Sequence, residues 1–375
     1  MTQRLHLALS EFCQIVQGGR HKLSGNNFVD VGYPAYGAGG INGMLPTFEF
    51  DRRAVILSSI GARCGKCFLA ERKWSSLANT QVILPDERRA DAKFLWFQLN
   101  DEARWPRSGS AQPFIKPSDV KAHYVYLPPL LEQRRIAAIL DQADALRVKR
   151  RAALARLDEM ARAIFVEMFG DPASNPKGWT AAELGEVIVD GPQNGLYKPS
   201  SEYGRGTRIL RIDSFYDGHV TSLNDLKRVQ VSEAEGKIYS LKPDDIVINR
   251  VNSMEYLGKS ALIPALNEPT LFESNMMRLA VDRARVEPGY VIQLLQMPFV
   301  KDQIRAAAKR AVNQASINQK DVAGFRLVCP DLDLQRLYVE RIGKIDALKA
   351  QQQASSHHLD ALFTSLQHRA FRGEL

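Results

Sequence analysis

The sequence lacks the features of several common protein classes. It has no run of about 18 or more apolar residues, which argues against a membrane-spanning helix. Its four cysteines, at positions 13, 64, 67 and 329, are too few for a disulfide framework in 375 residues. The first residues, Met1 to His6, lack the apolar segment of a secretory signal. We therefore expect a cytoplasmic protein without a membrane partner.

Motifs for catalysis and metal binding are also missing. The sequence contains no Asn-Pro-Pro-aromatic motif of amino-methyltransferases, and the segment 61–67 is one residue too short for a P-loop. Cys64 and Cys67 form a CxxC without the second close pair that a zinc site requires, so a turn between strands is favoured. His357 and His358 are adjacent on a predicted helix and do not share a face. We predict no catalytic residue and no metal site in this chain.

One loose pattern leaves an enzymatic alternative open. Asp51 is followed by Glu71 and Lys73 in a spacing that fits a D…ExK metal-dependent nuclease. Such a pattern arises readily by chance in a chain with 25% charged residues. The alternative hypothesis is a self-sufficient nuclease that uses these three residues.

An internal repeat organises the chain. Ile115–Phe169 aligns with Ile317–Phe371 without a gap, and each residue lies 202 positions before its counterpart. Upstream the copies match with gaps, as in Val55–Leu57 and Ile246–Ile248. Insertions are tolerated in loops but change the length of a helix, so a gap-free tail indicates that its length matters.

Both tails are predicted to be long helices. Residues 131–168 contain neither proline nor glycine, and apolar residues recur at steps of three and four. A helix of roughly 38 residues would be about 57 Å long and must bury its apolar stripe, most simply in an antiparallel pair with its counterpart. The predicted helix-pair core is Ile136, Leu140, Leu146, Leu157, Ile164, Ile342, Ile345, Leu348, Leu359, Leu362 and Leu366.

The two stripes are interrupted by polar residues at the same place, at 147–151 and 349–356. This interruption is either a solvated crossing point or a basic face for DNA or a partner subunit. The remaining sequence favours an α+β class, because its short strands are not regularly separated by helices. The strands are predicted at 55–57, 81–84, 208–212 and 246–248, and the helices at 94–99 and 290–309.

Four segments resemble the specificity subunits of type I restriction–modification systems. The segment 127–141 has the sequence LPPLLEQRRIAAILD, and 168–179 contains MFGDP and NPKGW. The chain ends on AFRGEL at 370–375, and YPAYGAGGI at 33–41 is similar to a run common at the start of such domains. The resemblance covers the whole chain in the same order.

The resemblance implies a non-catalytic, sequence-specific DNA-binding subunit. Each globular domain would recognise one half of a bipartite double-stranded target, and the coiled-coil-like antiparallel helices would set the spacing. The helices would also dock DNA methyltransferase subunits, two of them expected, and restriction or translocase subunits. S-adenosylmethionine, ATP and Mg²⁺ are then expected on those partners, with no cofactor in this chain. A related restriction system with the same subunit design stays open.

This plan divides the chain into two target-recognition domains, 1–130 and 170–331, with a central spacer helix at 131–169 and a C-terminal one at 332–375. The net charge of +8 favours a polyanionic partner such as DNA. Basic side chains in turn-rich stretches are candidates for phosphates, and two matched glutamines for adenine. The candidates are Arg20, Lys22, Arg63, Lys66, Arg107, Gln112, Lys198, Arg205, Arg250, Lys259, Lys309, Arg310 and Gln314. A protein-binding scaffold that recognises no DNA sequence is a third hypothesis.

Overall fold

The computed structural model describes residues 6–19, 25–109 and 111–375. The chain forms two compact units: unit 1 is Met1–Leu154 with Gln351–Leu375, and unit 2 is Ala155–Ala350. Each unit therefore holds one globular part and portions of two long helices. The mixed helix-and-sheet class with two long helices confirms the predicted fold class, whereas the four-part division of the chain stays a prediction.

The described part of unit 1 contains three small sheets. Their strands are β1 (His6–Ala8), β2 (Cys13–Gln17), β3 (Tyr33–Gly37), β4 (Gly40–Leu45), β5 (Ala54–Ser58), β6 (Cys67–Ala70), β7 (Ser75–Ser76), β8 (Thr80–Pro85) and β9 (Tyr124–Tyr126). The sheet orders are β2-β8-β5-β6, β4-β3-β7 and β1-β9. Strand β5 is buried on both faces: Val55 and Leu57 join one apolar cluster, and Ala54 and Ile56 join another. The two-residue period of a strand thus explains its continuous apolar run.

Unit 2 repeats this plan with more strands. They are β10 (Thr180–Glu183), β11 (Ile188–Asn194), β12 (Tyr203–Leu210), β13 (Phe215–Tyr216), β14 (Gly218–Val220), β15 (Lys227–Val229), β16 (Ile246–Asn249), β17 (Val251–Asn252), β18 (Ser260–Leu262), β19 (Thr270–Phe272), β20 (Met276–Val281), β21 (Lys309–Arg310), β22 (Ala315–Ser316) and β23 (Arg326–Cys329). The sheet orders are β11-β20-β16-β18-β14-β13, β15-β12-β19, β17-β22-β21 and β10-β23. Strand β16 matches β5, since Ile246 and Ile248 face one cluster and Val247 faces another.

The helices are α1 (Ala92–Leu99), α2 (Pro117–Lys121), α3 (Leu130–Phe169), α4 (Glu233–Tyr239), α5 (Pro288–Gln296), α6 (Pro298–Ala307), α7 (Gln319–Ala323) and α8 (Leu332–Ala370). The prediction of one helix over 290–309 is wrong, because Pro298 divides it into α5 and α6. Met297, just before that proline, has an extended ψ of 151°, which is the conformation that a following proline favours. Helix α3 ends at Gly170, whose φ of 79° suits a glycine past a helix C-terminus.

The long helices run antiparallel within each unit. In unit 1, Arg147 of α3 forms an ion pair with Asp360 of α8 at 2.5 Å, and Arg150 donates to Gln352. In unit 2, Lys349 forms an ion pair with Asp158 at 2.7 Å. The second ion pair is the repeat counterpart of the first, because Arg147 and Lys349, like Asp158 and Asp360, are 202 positions apart. The polar interruption of both stripes therefore takes part in the helix contact.

The residues of the predicted helix-pair core differ in their burial. Ile136, Leu140, Ile342 and Ile345 are buried, and Leu157, Ile164, Leu359 and Leu366 are half-buried. The prediction is wrong for three residues, whose exposed fractions are 53% at Leu146, 48% at Leu348 and 53% at Leu362.

Helical geometry explains these three errors. Since a helix has 3.6 residues per turn, the position that follows Ala143 on the contact face of α3 is Arg147 and not Leu146. Its guanidinium lies 4.3 Å from the ring centroid of Phe363, which takes the place predicted for Leu362. At the corresponding position of α8, Lys349 faces the other helix instead of Leu348.

Candidate nucleic-acid interface

An exposed hairpin in unit 2, residues 309–316, brings three of the predicted DNA-binding residues together. Its strands pair Lys309 with Ser316 and Arg310 with Ala315, and the amide of Ala311 donates to the carbonyl of Gln314 at 2.7 Å. Val312 at the tip is 98% exposed. The hairpin therefore carries two cations and a glutamine on a narrow two-stranded ribbon.

The base of this unit-2 hairpin is anchored beside a fourth predicted residue, Arg250. Strand β22 pairs with β17, and the amide of Ile317 donates to the carbonyl of Arg250 at 3.0 Å. The Arg250 guanidinium is half-buried and donates to the carbonyl of Ser274 at 3.2 Å. Arg250 thus anchors the base of the hairpin, and its side chain is directed toward Ser274.

Unit 1 contains the repeat counterpart of this hairpin, which we call the unit-1 hairpin. Its described residues are 107–109 and 111–114, and an isolated bridge between Ser108 and Phe114 closes it. Ser108 and Phe114 exchange backbone hydrogen bonds of 2.8 Å in both directions. The amide of Ile115 donates to Ser59 at 2.9 Å, as its counterpart Ile317 does to Arg250. Arg107 and Gln112 are exposed on this unit-1 hairpin. The two copies therefore present Arg107 with Gln112, and Lys309 with Gln314, at matching positions.

The exposed basic side chains differ in whether they form ion pairs or hydrogen bonds with other residues of the chain. Arg107 forms an ion pair with Glu102 at 3.2 Å, and Arg63 donates to the carbonyl of Gly39 at 3.0 Å. Within the described ranges, neither Lys309 nor Arg310 forms an ion pair. The unit-2 hairpin therefore offers two charges that remain available for phosphates.

Two further predicted residues lie away from the hairpins. Lys198 is held between Glu202 at 2.8 Å and Glu235 at 3.0 Å, and its hydrogen bonds to these carboxylates raise the pKa of Lys198. Arg205 is exposed in strand β12. Since two carboxylates already neutralise Lys198, it is the weakest of the predicted phosphate contacts. The candidates Arg20 and Lys22 lie outside the described residues.

Lys66 and Lys259 occupy equivalent turns. Their carbonyls accept hydrogen bonds of 2.8 Å from Ser58 and Asn249, respectively. The Lys259 ammonium donates to the carbonyl of Ile212 at 2.6 Å and lies 3.8 Å from the ring centroid of Tyr216. Burial lowers the pKa of Lys259. Lys259 therefore belongs to a packed lysine–aromatic cluster, whereas Lys66 is half-buried in a turn.

The cysteine and nuclease patterns have structural explanations. Cys64 lies in the turn between β5 and β6, Cys67 begins β6, and burial raises the pKa of both thiols. Glu71 is paired with Arg53 at 2.7 Å, and the Lys73 ammonium lies 5.5 Å from the ring centroid of Phe48. Among the described residues, no group of three or more His, Cys, Asp or Glu side chains could hold a metal ion. This arrangement does not favour a metal-dependent nuclease.

Two features of the repeat escape the sequence-based predictions. Gln133 and Gln335 are fully buried at the starts of α3 and α8, and Arg147 and Lys349 face the opposite helix. All four are polar residues at matched positions, and such matching is the signal that could have identified them.

We also find no helix in the described residues that is long and apolar enough to cross a membrane.

Comparison with known proteins identifies a matching family model and several similar proteins. The family model of the type I restriction modification DNA specificity domain matches residues 7–156. The EcoKI specificity subunit of Escherichia coli (strain K12) is 26% identical over 278 residues, covering 70% of this chain and 60% of the relative. The StySPI specificity subunit of Salmonella potsdam is 25% identical over 277 residues, covering 70% and 59%. Residues 7–156 therefore match the DNA specificity domain, and the chain is similar to type I restriction–modification specificity subunits.

The fold of this specificity-subunit family is shared over nearly the whole chain. The crystal structure of the S subunit of a type I restriction-modification system from M. genitalium covers 98% of this chain and 96% of that chain, with a TM-score of 0.64 and 17% identity. The chain spans about 60% of the length of the first two curated relatives. The resemblance inferred from the four sequence segments is thus confirmed by the family model over residues 7–156 and by these relatives.

Proposed function

We propose that this chain is a non-catalytic DNA-recognition subunit in which each globular part recognises one half of a bipartite target. The observation that carries the proposal is the hairpin at 309–316 together with the unit-1 hairpin, which present a cation and a glutamine at matching positions. A two-part recognition surface requires two copies of one reading element, and the repeat supplies them.

The chemistry of the hairpins fits DNA. A two-stranded ribbon can enter the major groove, where a glutamine can bond bidentately to adenine. Arg107, Lys309 and Arg310 would contact phosphates, which position the protein without specifying a base. Because phosphate contacts release counterions, binding should weaken steeply as the salt concentration rises. A flat salt dependence would contradict this mechanism.

We further propose that the helix pair docks DNA methyltransferase subunits, and restriction subunits where present. The exposed apolar side chains on the long helices include Leu146 and Leu362 in unit 1, and Met160 and Leu348 in unit 2. These residues match across the repeat, so the same kind of partner could bind twice. S-adenosylmethionine, ATP and Mg²⁺ would then be bound by the partners.

The test is co-expression with a methyltransferase gene product from the same system, followed by mapping of methylated adenines in DNA. We expect a split motif with two fixed halves. Gln112→Ala and Gln314→Ala should each relax one half and leave the other unchanged. Gln353→Ala, at an exposed position of α8, is the matched control. Methylation without any sequence preference would favour the scaffold hypothesis instead.

The nuclease alternative makes a separate prediction. The purified chain with Mg²⁺ would cleave DNA without partners, and Glu71→Ala would abolish cleavage while leaving DNA binding intact. The ion pair between Glu71 and Arg53 argues against this outcome. Cleavage that survives Glu71→Ala would point to a contaminating enzyme.

A further inference from the structure

Two buried glutamines connect the globular parts to the long helices. Gln133 and Gln335 lie in the first turn of α3 and α8, and neither is exposed. A primary amide placed in a dry interior costs free energy unless its donors and acceptor are paired. The partners of these two amides therefore indicate which segments they hold together.

In unit 1, the Gln133 amide joins three segments. Its Nε2 donates to the carbonyl of Pro128 at 2.7 Å and to the carbonyl of Arg89 at 2.9 Å. Its Oε1 accepts from the backbone N–H of Asp91 at 2.9 Å. Asp91 is the N-cap residue of α1, since its carboxylate accepts from Phe94 N–H. The start of the long helix is thus bonded to the start of a helix in the globular part.

Unit 2 repeats this arrangement with different neighbours. The Nε2 of Gln335 donates to the carbonyl of Pro330 at 2.7 Å, and its Oε1 accepts from the N–H of Glu287 at 2.9 Å. Glu287 is the N-cap residue of α5. Pro128 and Pro330 are repeat counterparts, whereas Asp91 and Glu287 differ in sequence. We call the two sets of hydrogen bonds the glutamine bridges.

Each glutamine bridge also connects the long helix to the hairpin of its own unit. Helix α1 contacts β5 and β6, and the segment after β5 donates from Gly61 N–H to Pro113 in the unit-1 hairpin at 3.0 Å. Helix α5 contacts β18, which pairs with β16, and Arg250 follows β16 at the base of the unit-2 hairpin. A continuous path of packed elements therefore leads from bridge to hairpin in both units.

We propose that Gln133 and Gln335 are positioning residues that hold each hairpin at a fixed orientation relative to its long helix. This inference rests on the proposed function. In it, the glutamine bridges restrict the number of base pairs that the protein accepts between the two half-sites. The bridges act on geometry and touch no base. Their loss should therefore broaden the accepted gap lengths while the bases recognised in each half stay the same.

The first measurement concerns the bridge itself and needs no DNA. In Gln133→Met, which has a similar volume and no amide, hydrogen exchange at the Asp91 amide should accelerate by roughly tenfold, as expected for a lost buried hydrogen bond. Gln335→Met should do the same at the Glu287 amide. Gln142→Met and Gln353→Met, at exposed positions of α3 and α8, are the controls. Unchanged exchange at Asp91 and Glu287 would overturn the proposal.

The second measurement uses the full chain with its methyltransferase partner and a panel of targets. The panel keeps both half-sites constant and varies the gap by single base pairs. In each Met variant, methylation of targets one base pair too short or too long should rise several-fold relative to the best target. If Gln133→Met does not fold, Gln133→Asn, whose amide is one methylene too short to reach, replaces it.

The outcomes separate the two proposals. A wild-type complex that methylates a split motif, with variants whose gap profile is unchanged, overturns the positioning role and leaves the proposed function intact. Loss of base preference in one half without a broader gap also contradicts positioning. A wild-type complex without a split motif removes both proposals.

Discussion

The two copies of the repeat agree in their backbone framework and differ in the side chains that surround it. Both have the hairpin, the glutamine bridge and the interhelical ion pair at matched positions. Around this framework, unit 1 has buried cysteines beside Trp105, whereas unit 2 has the Lys259 aromatic cluster. The residues of the two copies match best at the hairpin, the glutamine bridge and the interhelical ion pair. They match least in the side chains around these elements.

Unit 2 also contains two buried arginines that form ion pairs, at positions without a described counterpart in unit 1. Arg278 lies between Asp190 at 2.9 Å and Asp245 at 3.5 Å, and Arg208 contacts Glu268 at 2.5 Å. Hydrogen bonding to Arg278 lowers the pKa of Asp190, whereas burial raises the pKa of Asp245. The two copies therefore share a backbone framework but differ in their side-chain interactions. Substitutions at counterpart positions of the two copies can show which interactions they share.

The largest effect is expected from changing the length of one long helix only. Four residues inserted after Lys149 would lengthen α3 by about 6 Å and rotate the remainder of the helix by about 40°. We expect methylation of the parent target to be lost or its gap to change. The same insertion after Gln351, the repeat counterpart, should act alike, and both together should restore the match with an altered gap. Unchanged half-sites and gap after a single insertion would refute the spacing role of the helices.

A large loss of stability is expected from a matched pair of phenylalanines. Phe169 is fully buried, with its ring centroid 5.0 Å from those of Phe165 and Tyr290. Its counterpart Phe371 is 8% exposed and 5.6 Å from Phe94. Phe169→Ala should cost about 5 kcal/mol in unit 2, and Phe371→Ala about 3 kcal/mol in unit 1.

Hydrogen exchange of the two units, measured separately, distinguishes these two variants. Because Phe371 belongs to the core of unit 1, its substitution should destabilise unit 1. The globular part of this unit is formed by the N-terminal part of the sequence, although Phe371 lies near the C-terminus. Equal destabilisation of both units by either variant would contradict the assignment of these side chains to separate cores.

The interhelical ion pairs should differ in a smaller way. Arg147 contacts Asp360, Asp144 and the Phe363 ring, whereas Lys349 contacts Asp158. Arg147→Met should therefore lower the Tm by about 2 °C, and Lys349→Met should lower it less, because exposed ion pairs contribute little. Asp360→Asn removes the ion pair and keeps the ring contact, so it should fall between them. A larger loss for Lys349→Met would contradict the importance of the ring contact.

The long helices could be predicted from the sequence because a gap-free repeat extends over both of them and residues 131–168 contain neither proline nor glycine. Their contact face could not be predicted fully, because the facing positions are occupied by the charged residues Arg147 and Lys349, each directly preceded by an apolar leucine that is exposed. The hairpin residues could be predicted only as separate candidates, since Arg250 and Lys309 are far apart in sequence. The matched positions of Gln133 and Gln335 could have singled them out, but the hydrogen-bond partners of the glutamine bridges could not be inferred, because Asp91 and Glu287 are not counterparts in the gap-free repeat.

The smallest effect concerns a pH dependence that only unit 1 should show. His123 stacks on Trp105 at 4.5 Å, and its repeat counterpart in unit 2 is the buried Phe325. Burial, together with the charge of Arg104, lowers the pKa of His123 below its ordinary value of 6.5. The neutral form is therefore favoured in the folded state, so its contribution to stability is present above pH 6.5 and is lost as the pH falls below it. His123→Phe, which installs the residue of unit 2, should remove this loss. The measurement is the free energy of unfolding of unit 1 in urea, monitored by hydrogen exchange at several pH values between about 7.5 and 5.5. If this free energy changes equally with pH in the wild type and in the variant, His123 is not the cause.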